Sequence, residues 1–222
     1  MKSIIFTDGA SRGNPGHGGW GAIIATSDNN FQFSISNFQV KEMGGRGENT
    51  TNNRMEMMSA IEAIKILENG AEVEIYTDSA YLINGITKWV YGWQKNNWQT
   101  KTKEDVLNKD LWQELLSVTD GKKIKWHKLS GHSGVPANER CDVIATSFAD
   151  GKPVKLFHGG IKDYKIDLFI VKGNEKSIKA KVNKKSQAYS YVSIVNGVIL
   201  THKTWGECEA RVKGKSGVRF KK

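Results

Sequence analysis

Two short segments of the chain end alike. Ile5-Phe6-Thr7-Asp8-Gly9 and Ile75-Tyr76-Thr77-Asp78-Ser79 each run apolar into an aspartate followed by a small residue. Either aspartate alone reads most simply as a turn or cap. Two further carboxylates, Glu56 and Asp142, sit at the starts of helical patterns. Acidic side chains from two strand ends and two helix starts that meet in one place repel one another unless hard cations neutralise them. An all-oxygen donor set favours Mg2+ or Mn2+. Two such ions roughly 3.5–4 Å apart would activate a water and stabilise the leaving oxygen of an in-line phosphoryl displacement.

The elements that must bring these four together follow from periodicity. Residues 2–7 form an apolar run that stops at Asp8-Gly9; a Gly-rich stretch follows, and residues 20–25 and 31–38 read as the second and third strands of an antiparallel meander. Residues 52–69 carry Met57, Ile61, Ile64 and Leu67 at helical spacing and close on Asn69-Gly70. Residues 72–77 then predict a strand, 81–93 and 111–118 helices, 124–128 a strand and 136–149 a helix. Strands alternating with helices place the chain in the α/β class.

Composition narrows the function classes. The chain has 222 residues, 38% of them hydrophobic and 25% charged, enough apolar content for a globular core. No apolar run reaches the ~18 residues that a membrane span needs. The start, Met1-Lys2-Ser3-Ile4, meets charge too early for a secretory signal. Cys141 and Cys208 are too few for a disulfide framework or a thiolate metal cage, and suit a reducing cytosol. Residues 1–150 hold 16 Lys and Arg against 18 Asp and Glu, a net of −2, whereas residues 151–222 hold 17 against 5, a net of +12. A basic tail beside a near-neutral body points to a polyanion handle, with nucleic acid favoured over a membrane surface because no apolar face accompanies the lysines. Residues 152–187 read as a Lys-rich linker with one strand at 166–171. Residues 189–195 and 198–201 flank Asn196-Gly197 as a hairpin, and a short helix follows at 205–213.

At this point residues 1–150 closely resemble the ribonuclease HI family. The matching stretches are Thr7-Asp8-Gly9-Ala10 with Gly13-Asn14-Pro15-Gly16, Thr51-Asn52-Asn53-Arg54-Met55-Glu56, Thr77-Asp78-Ser79, Gly131-His132-Ser133-Gly134, and Asn138-Glu139-Arg140-Cys141-Asp142, in the family's order. The resemblance implies a mixed five-stranded sheet flanked by helices and cleavage of the RNA strand of RNA–DNA hybrids. Asp8, Glu56, Asp78 and Asp142 would be the metal-binding and catalytic carboxylates, holding two Mg2+ ions, or Mn2+. His132 would assist proton transfer or product release. Asn14, Thr51, Asn52 and Ser79 match positions that contact the nucleic acid, and Ala80 stands where the family often carries a Gln that touches the RNA.

The stretch 88–98 matches a Trp-rich basic handle of bacterial members. There Trp89 reads as a helix-packing residue and Trp93 and Lys95 as substrate contacts. Residues 204–214 and 218–222 resemble the hybrid-binding domain of many eukaryotic ribonucleases H1, so that Trp205 and Phe220 would pack on the DNA strand while Lys221 and Lys222 neutralise phosphates. Here that module follows the nuclease instead of preceding it.

The organisation expected is therefore a catalytic domain at 1–150, a basic linker at 151–187 and a small α+β hybrid-binding-like module at 188–222. The expected protein is a cytosolic monomer acting on RNA–DNA hybrids with no membrane partner. A non-cleaving hybrid-binding scaffold is the rival from another class, and a nuclease or strand-transfer enzyme on DNA is a second.

Overall fold

Alternation of small and apolar residues drives the first hairpin. β1 (Lys2–Gly13) and β2 (Gly16–Ser27) pair antiparallel from Lys2 opposite Ser27 to Gly13 opposite Gly16, joined through Asn14-Pro15. The computed structural model describes residues 1–27, 38–130, 134–170, 191–195, 198–202, 204–214 and 218–221. β3 (Gln39–Thr50) pairs antiparallel with β2, and β4 (Glu72–Thr77) and β5 (Lys123–Lys128) extend the sheet in parallel on the other side of β1. With β6 (His158–Gly160) the order is β5-β4-β1-β2-β3-β6.

One face of the sheet is covered by α1 (Asn52–Lys65) and α4 (Lys109–Thr119). Met57, Ile61 and Ile64 of α1 meet Ile5, Val73, Ile75 and the fully buried Trp112 and Leu115. Between these helices lie α2 (Ala80–Asn84), a π-helical turn (Gly85–Trp89) and α3 (Val90–Lys95). Gly85 is required there, because a Cβ would overlap the Trp112 ring. α5 (Pro136–Ala149) lies against β1 and β2, with Cys141 fully buried beneath it.

The structure differs from expectation at four places. The Gly-rich stretch belongs largely to β2: a Cβ on Gly19 or Gly21 would overlap the carbonyl oxygens of Ala145 or Cys141, so these glycines let α5 lie directly on the strand. The third strand is Gln39–Thr50, and residues 31–37 of the strand expected at 31–38 lie outside the described residues. The sheet has six strands among the described residues, one more than expected, because β6 adds to the edge strand β3. That sixth strand comes from the stretch read as linker, whose described residues 152–170 join the sheet edge through Phe157 and Tyr164, both bonded to Glu42, and through Phe169, whose ring meets Phe38, with Leu168 buried. Residues 166–170 form a turn where a strand was expected.

The chain divides into two compact units, Met1–Glu175 and Lys176–Lys222. The second contains β7 (Tyr191–Val195), β8 (Val198–His202), β9 (Arg219–Lys221) and α6 (Trp205–Val212), with β7 central in an antiparallel sheet. Its core holds Val195, Val212 and the fully buried Cys208. Fully buried Ser193 takes part as well: Arg211 donates to its Oγ at 2.8 Å and to its carbonyl at 3.2 Å, and its Oγ lies 2.7 Å from His202 Nε2. A polar anchor thus supplements a core too small to be wholly apolar.

Candidate active site

The site is built from backbone approaches before any side chain matters. β1 and β4 run parallel with Phe6 opposite Tyr76, so two residues further on Asp8, still within β1, neighbours Asp78, just past the end of β4. Gly9 follows Asp8, and a Cβ there would overlap the backbone of Met55 and Glu56; its absence lets the first turns of α1 carry Glu56 to the same place. Asp8 pairs with Gly21 across the hairpin, and Gly21 abuts the Cys141 carbonyl, which sets Asp142 next along α5. Carboxylates from β1, α1, the end of β4 and α5 therefore converge beside the middle of β1, which runs on to Gly13 where the sequence predicted a stop at Asp8-Gly9.

Their electrostatics record the convergence. Burial first, then the charges of Asp78, Asp142 and Glu56, push the Asp8 carboxyl up to about 8 against the pull of the Gly9 amide, which donates to Oδ1 at 2.7 Å. Burial also lifts Glu56, to about 7, helped by Asp78 and opposed by hydrogen bonds from Ser79 and Asn52. Such acids are short of positive charge, and an all-oxygen set short of positive charge fits a hard divalent ion. Among the described residues no three acidic, His or Cys side chains form a ready-made cage. Mg2+ rarely needs one, since it is held by one or two carboxylates, waters and substrate phosphates.

Around the carboxylates the expected contact residues divide. Asn52 Nδ2 donates to Glu56 Oε1 at 3.0 Å, and Thr51 caps α1, its hydroxyl accepting from the Arg54 amide at 3.4 Å. The Ser79 hydroxyl donates to Glu56 Oε2 and accepts from the Leu82 amide at 3.1 Å. Asn14 is exposed at the hairpin connection, and Lys95 is exposed at the end of α3. Of the tryptophans, Trp93 is half-buried against Trp112, with ring centroids 5.6 Å apart, and Trp89 is 39% exposed and touches Tyr81 and Trp93. Trp205 is half-buried at the start of α6, and Phe220 and Lys221 belong to β9. His132 and Lys222 lie outside the described residues.

One residue at the site was given no role by the sequence reading. Asn138, in the first turn of α5 and 8% exposed, donates from Nδ2 to Asp78 Oδ2 at 3.2 Å, while its buried Oδ1 has no hydrogen-bond partner. Its i, i+4 spacing from Asp142 was the available signal, since both then face one way on the helix.

The RNase H family model matches residues 1–150. The ribonuclease H of Acetivibrio thermocellus is 49% identical over 148 residues, covering 66% of this chain and 94% of that one. The ribonuclease H of Thermosynechococcus vestitus is 46% identical over 155 residues, covering 68% and 91%. Among solved structures, LC9-RNase H1, a type 1 RNase H with the type 2 active-site motif, superposes with a TM-score of 0.63 at 26% identity, over 75% of this chain and 82% of that one. A family match over two thirds of the sequence, relatives near half identity and the mixed sheet with its converging carboxylates agree: the chain belongs to the ribonuclease H family of enzymes.

Proposed function

We propose that the chain hydrolyses the RNA strand of RNA–DNA hybrids endonucleolytically, with two divalent ions, leaving 5′-phosphate and 3′-hydroxyl ends. The observation that carries this reading is the convergence of Asp8, Glu56, Asp78 and Asp142, with Asp8 and Glu56 held protonated to unusually high pH. Bound there, Mg2+ or Mn2+ supplies the Lewis acidity that makes water nucleophilic and stabilises the leaving oxygen. Ser79 and Asn52 orient Glu56, Asn138 orients Asp78, and the Gly9 amide orients Asp8. Asn14, Thr51 and Asn52 flank the site as contacts for the hybrid backbone, and Trp93 and Lys95 contribute from the handle. His132 serves proton transfer or product release.

The C-terminal module supplies additional hybrid affinity through Trp205, Phe220, Lys221 and Lys222. The strong positive charge of residues 151–222 and the nearness in sequence of these residues to α6 and β9 support that role.

An end-labelled RNA–DNA hybrid incubated with Mg2+, Mn2+ or EDTA, alongside Asp78→Asn, tests the reading. Metal-dependent cutting of the RNA strand alone, reduced at least about 100-fold in the variant, is expected, a loss typical of removing one catalytic group. Tight binding without cutting in either metal would make the chain a hybrid-binding scaffold.

A further inference from the structure

Residues 152–164 lie beyond the 150 residues that the family model matches, yet they are bound to α5 and to the edge strand β3. After α5 the chain reverses at Gly151 (φ +69°), and the Lys152 and Val154 amides donate to the Ser147 carbonyl and hydroxyl at 2.9 and 3.2 Å. The segment then reaches the edge strand. The Glu42 amide donates to the Phe157 carbonyl at 2.8 Å, β6 pairs with Gln39–Lys41, and the Ile161 amide donates to the Phe38 carbonyl at 2.9 Å.

The joint is Glu42, a carboxylate only 4% exposed. Arg140 donates to it as a fork, Nε to Oε1 and Nη2 to Oε2, both at 2.8 Å. Tyr164 Oη donates to Oε1 at 2.7 Å and the Phe157 amide to Oε2 at 2.9 Å. Arg140 Nη2 also donates to the Lys155 carbonyl at 3.0 Å. Burial pushes the Glu42 carboxyl up, but the bonds from Arg140, Tyr164 and Phe157 outweigh it and hold it below its ordinary range. Two of these four hydrogen bonds to the Glu42 carboxylate therefore come from residues 152–164. The fork they orient grips Arg140, which stands two residues before Asp142 on α5.

We propose that residues 152–164 form a strap that fixes α5 on the sheet so that Asp142 faces the other carboxylates, with Tyr164 and Arg140 as positioning residues acting through Glu42. This rests on the reading of Asp142 as a working member of the site. The glycine contacts under α5 set its distance from the sheet, whereas a bidentate guanidinium–carboxylate pair is directional and sets its rotation. An unstrapped Glu42 keeps its charge partner but loses the donors that aim it.

The test compares Tyr164→Phe, Arg140→Lys, their double variant and Asp142→Asn in the full chain. Hybrid cleavage is read at a temperature where circular dichroism shows each fully folded, with hydrogen exchange of the α5 amides read in parallel. Tyr164→Phe should lower kcat about three- to tenfold with KM unchanged, a fraction of what a hydrogen bond to a charged group is worth, and speed exchange in α5. Arg140→Lys, which keeps the charge and loses the fork, should do the same, and the double variant should lose no more than Arg140→Lys alone. Unchanged kcat in Tyr164→Phe, with only a lowered Tm, would overturn the proposal and leave the strap a cover for the sheet edge. Full activity of Asp142→Asn would overturn the reading it rests on, distinguishable because α5 exchange in Tyr164→Phe is measured without catalysis.

Discussion

Asp8 and Glu56 keep their protons to about 8 and about 7 because the fold gathers like charge in a half-buried place. Raised carboxyl values have a definite sign in folding. Between the unfolded value near 4 and the folded value the native state binds more protons than the unfolded chain, so this contribution to stability is complete below about pH 4 and is lost as the pH climbs to about 8. Asp8→Asn should therefore raise the Tm of the protein in EDTA at pH 8 by at least about 2–4 °C, the shift of one kcal/mol for a chain of this size. The gain should vanish toward pH 4, and coincident melts at pH 8 would refute this account. The sequence singled out Asp8 and Asp78 because two apolar runs repeat one pattern, although β1 continues past Asp8 to Gly13 while β4 ends at Thr77. Asn138 was given no role, because its one signal, the i, i+4 spacing from Asp142, is also met by an Asn that merely starts a helix. Ser79 was read as a substrate contact, and in the structure its hydroxyl also donates to Glu56 and caps α2.

At the level of elements, distance between layers decides the site. Gly21 admits the Cys141 backbone and Gly9 admits that of Glu56, so each carboxylate-bearing helix touches β1 or β2 without a side chain between. In Gly21→Ala the new methyl meets a backbone carbonyl that has no rotamer to yield. α5 must shift, at a cost of about 1–3 kcal/mol in stability, the usual range for overpacking. The expected kinetic signature is at least a tenfold fall in kcat with little change in KM; near-normal kcat would show that α5 reaches its position without this contact. Periodicity placed β4, β5, α4 and α5 to within two residues, since their apolar faces are regular. It missed the extent of β2 because glycine normally punctuates a strand, and here it thins one. It missed β6 because His158-Gly159-Gly160 carries no apolar alternation and is held by backbone pairing beside one buried carboxylate.

For the whole molecule, charge is divided as sharply as structure: residues 1–150 carry −2 and residues 151–222 carry +12, from 16 and 17 basic residues against 18 and 5 acidic ones. Deleting residues 188–222 should raise KM for hybrid about tenfold or more, by loss of effective concentration, and flatten the salt dependence by removing phosphate contacts. Under the tether reading kcat stays near its original value, and an equal fall in kcat would contradict it. The α/β class and the separate C-terminal module were legible from pattern and composition; the anchoring of residues 152–164 was not, because it depends on a partner 115 residues away, Phe157 to Glu42. The division also places one cysteine in each unit, Cys141 under α5 and Cys208 inside α6, both with 0% exposure. Neither thiol can meet a maleimide while its own unit is closed. Each is a built-in clock whose alkylation rate reports how often that unit opens, and the two can be read from a single digest without introducing any label.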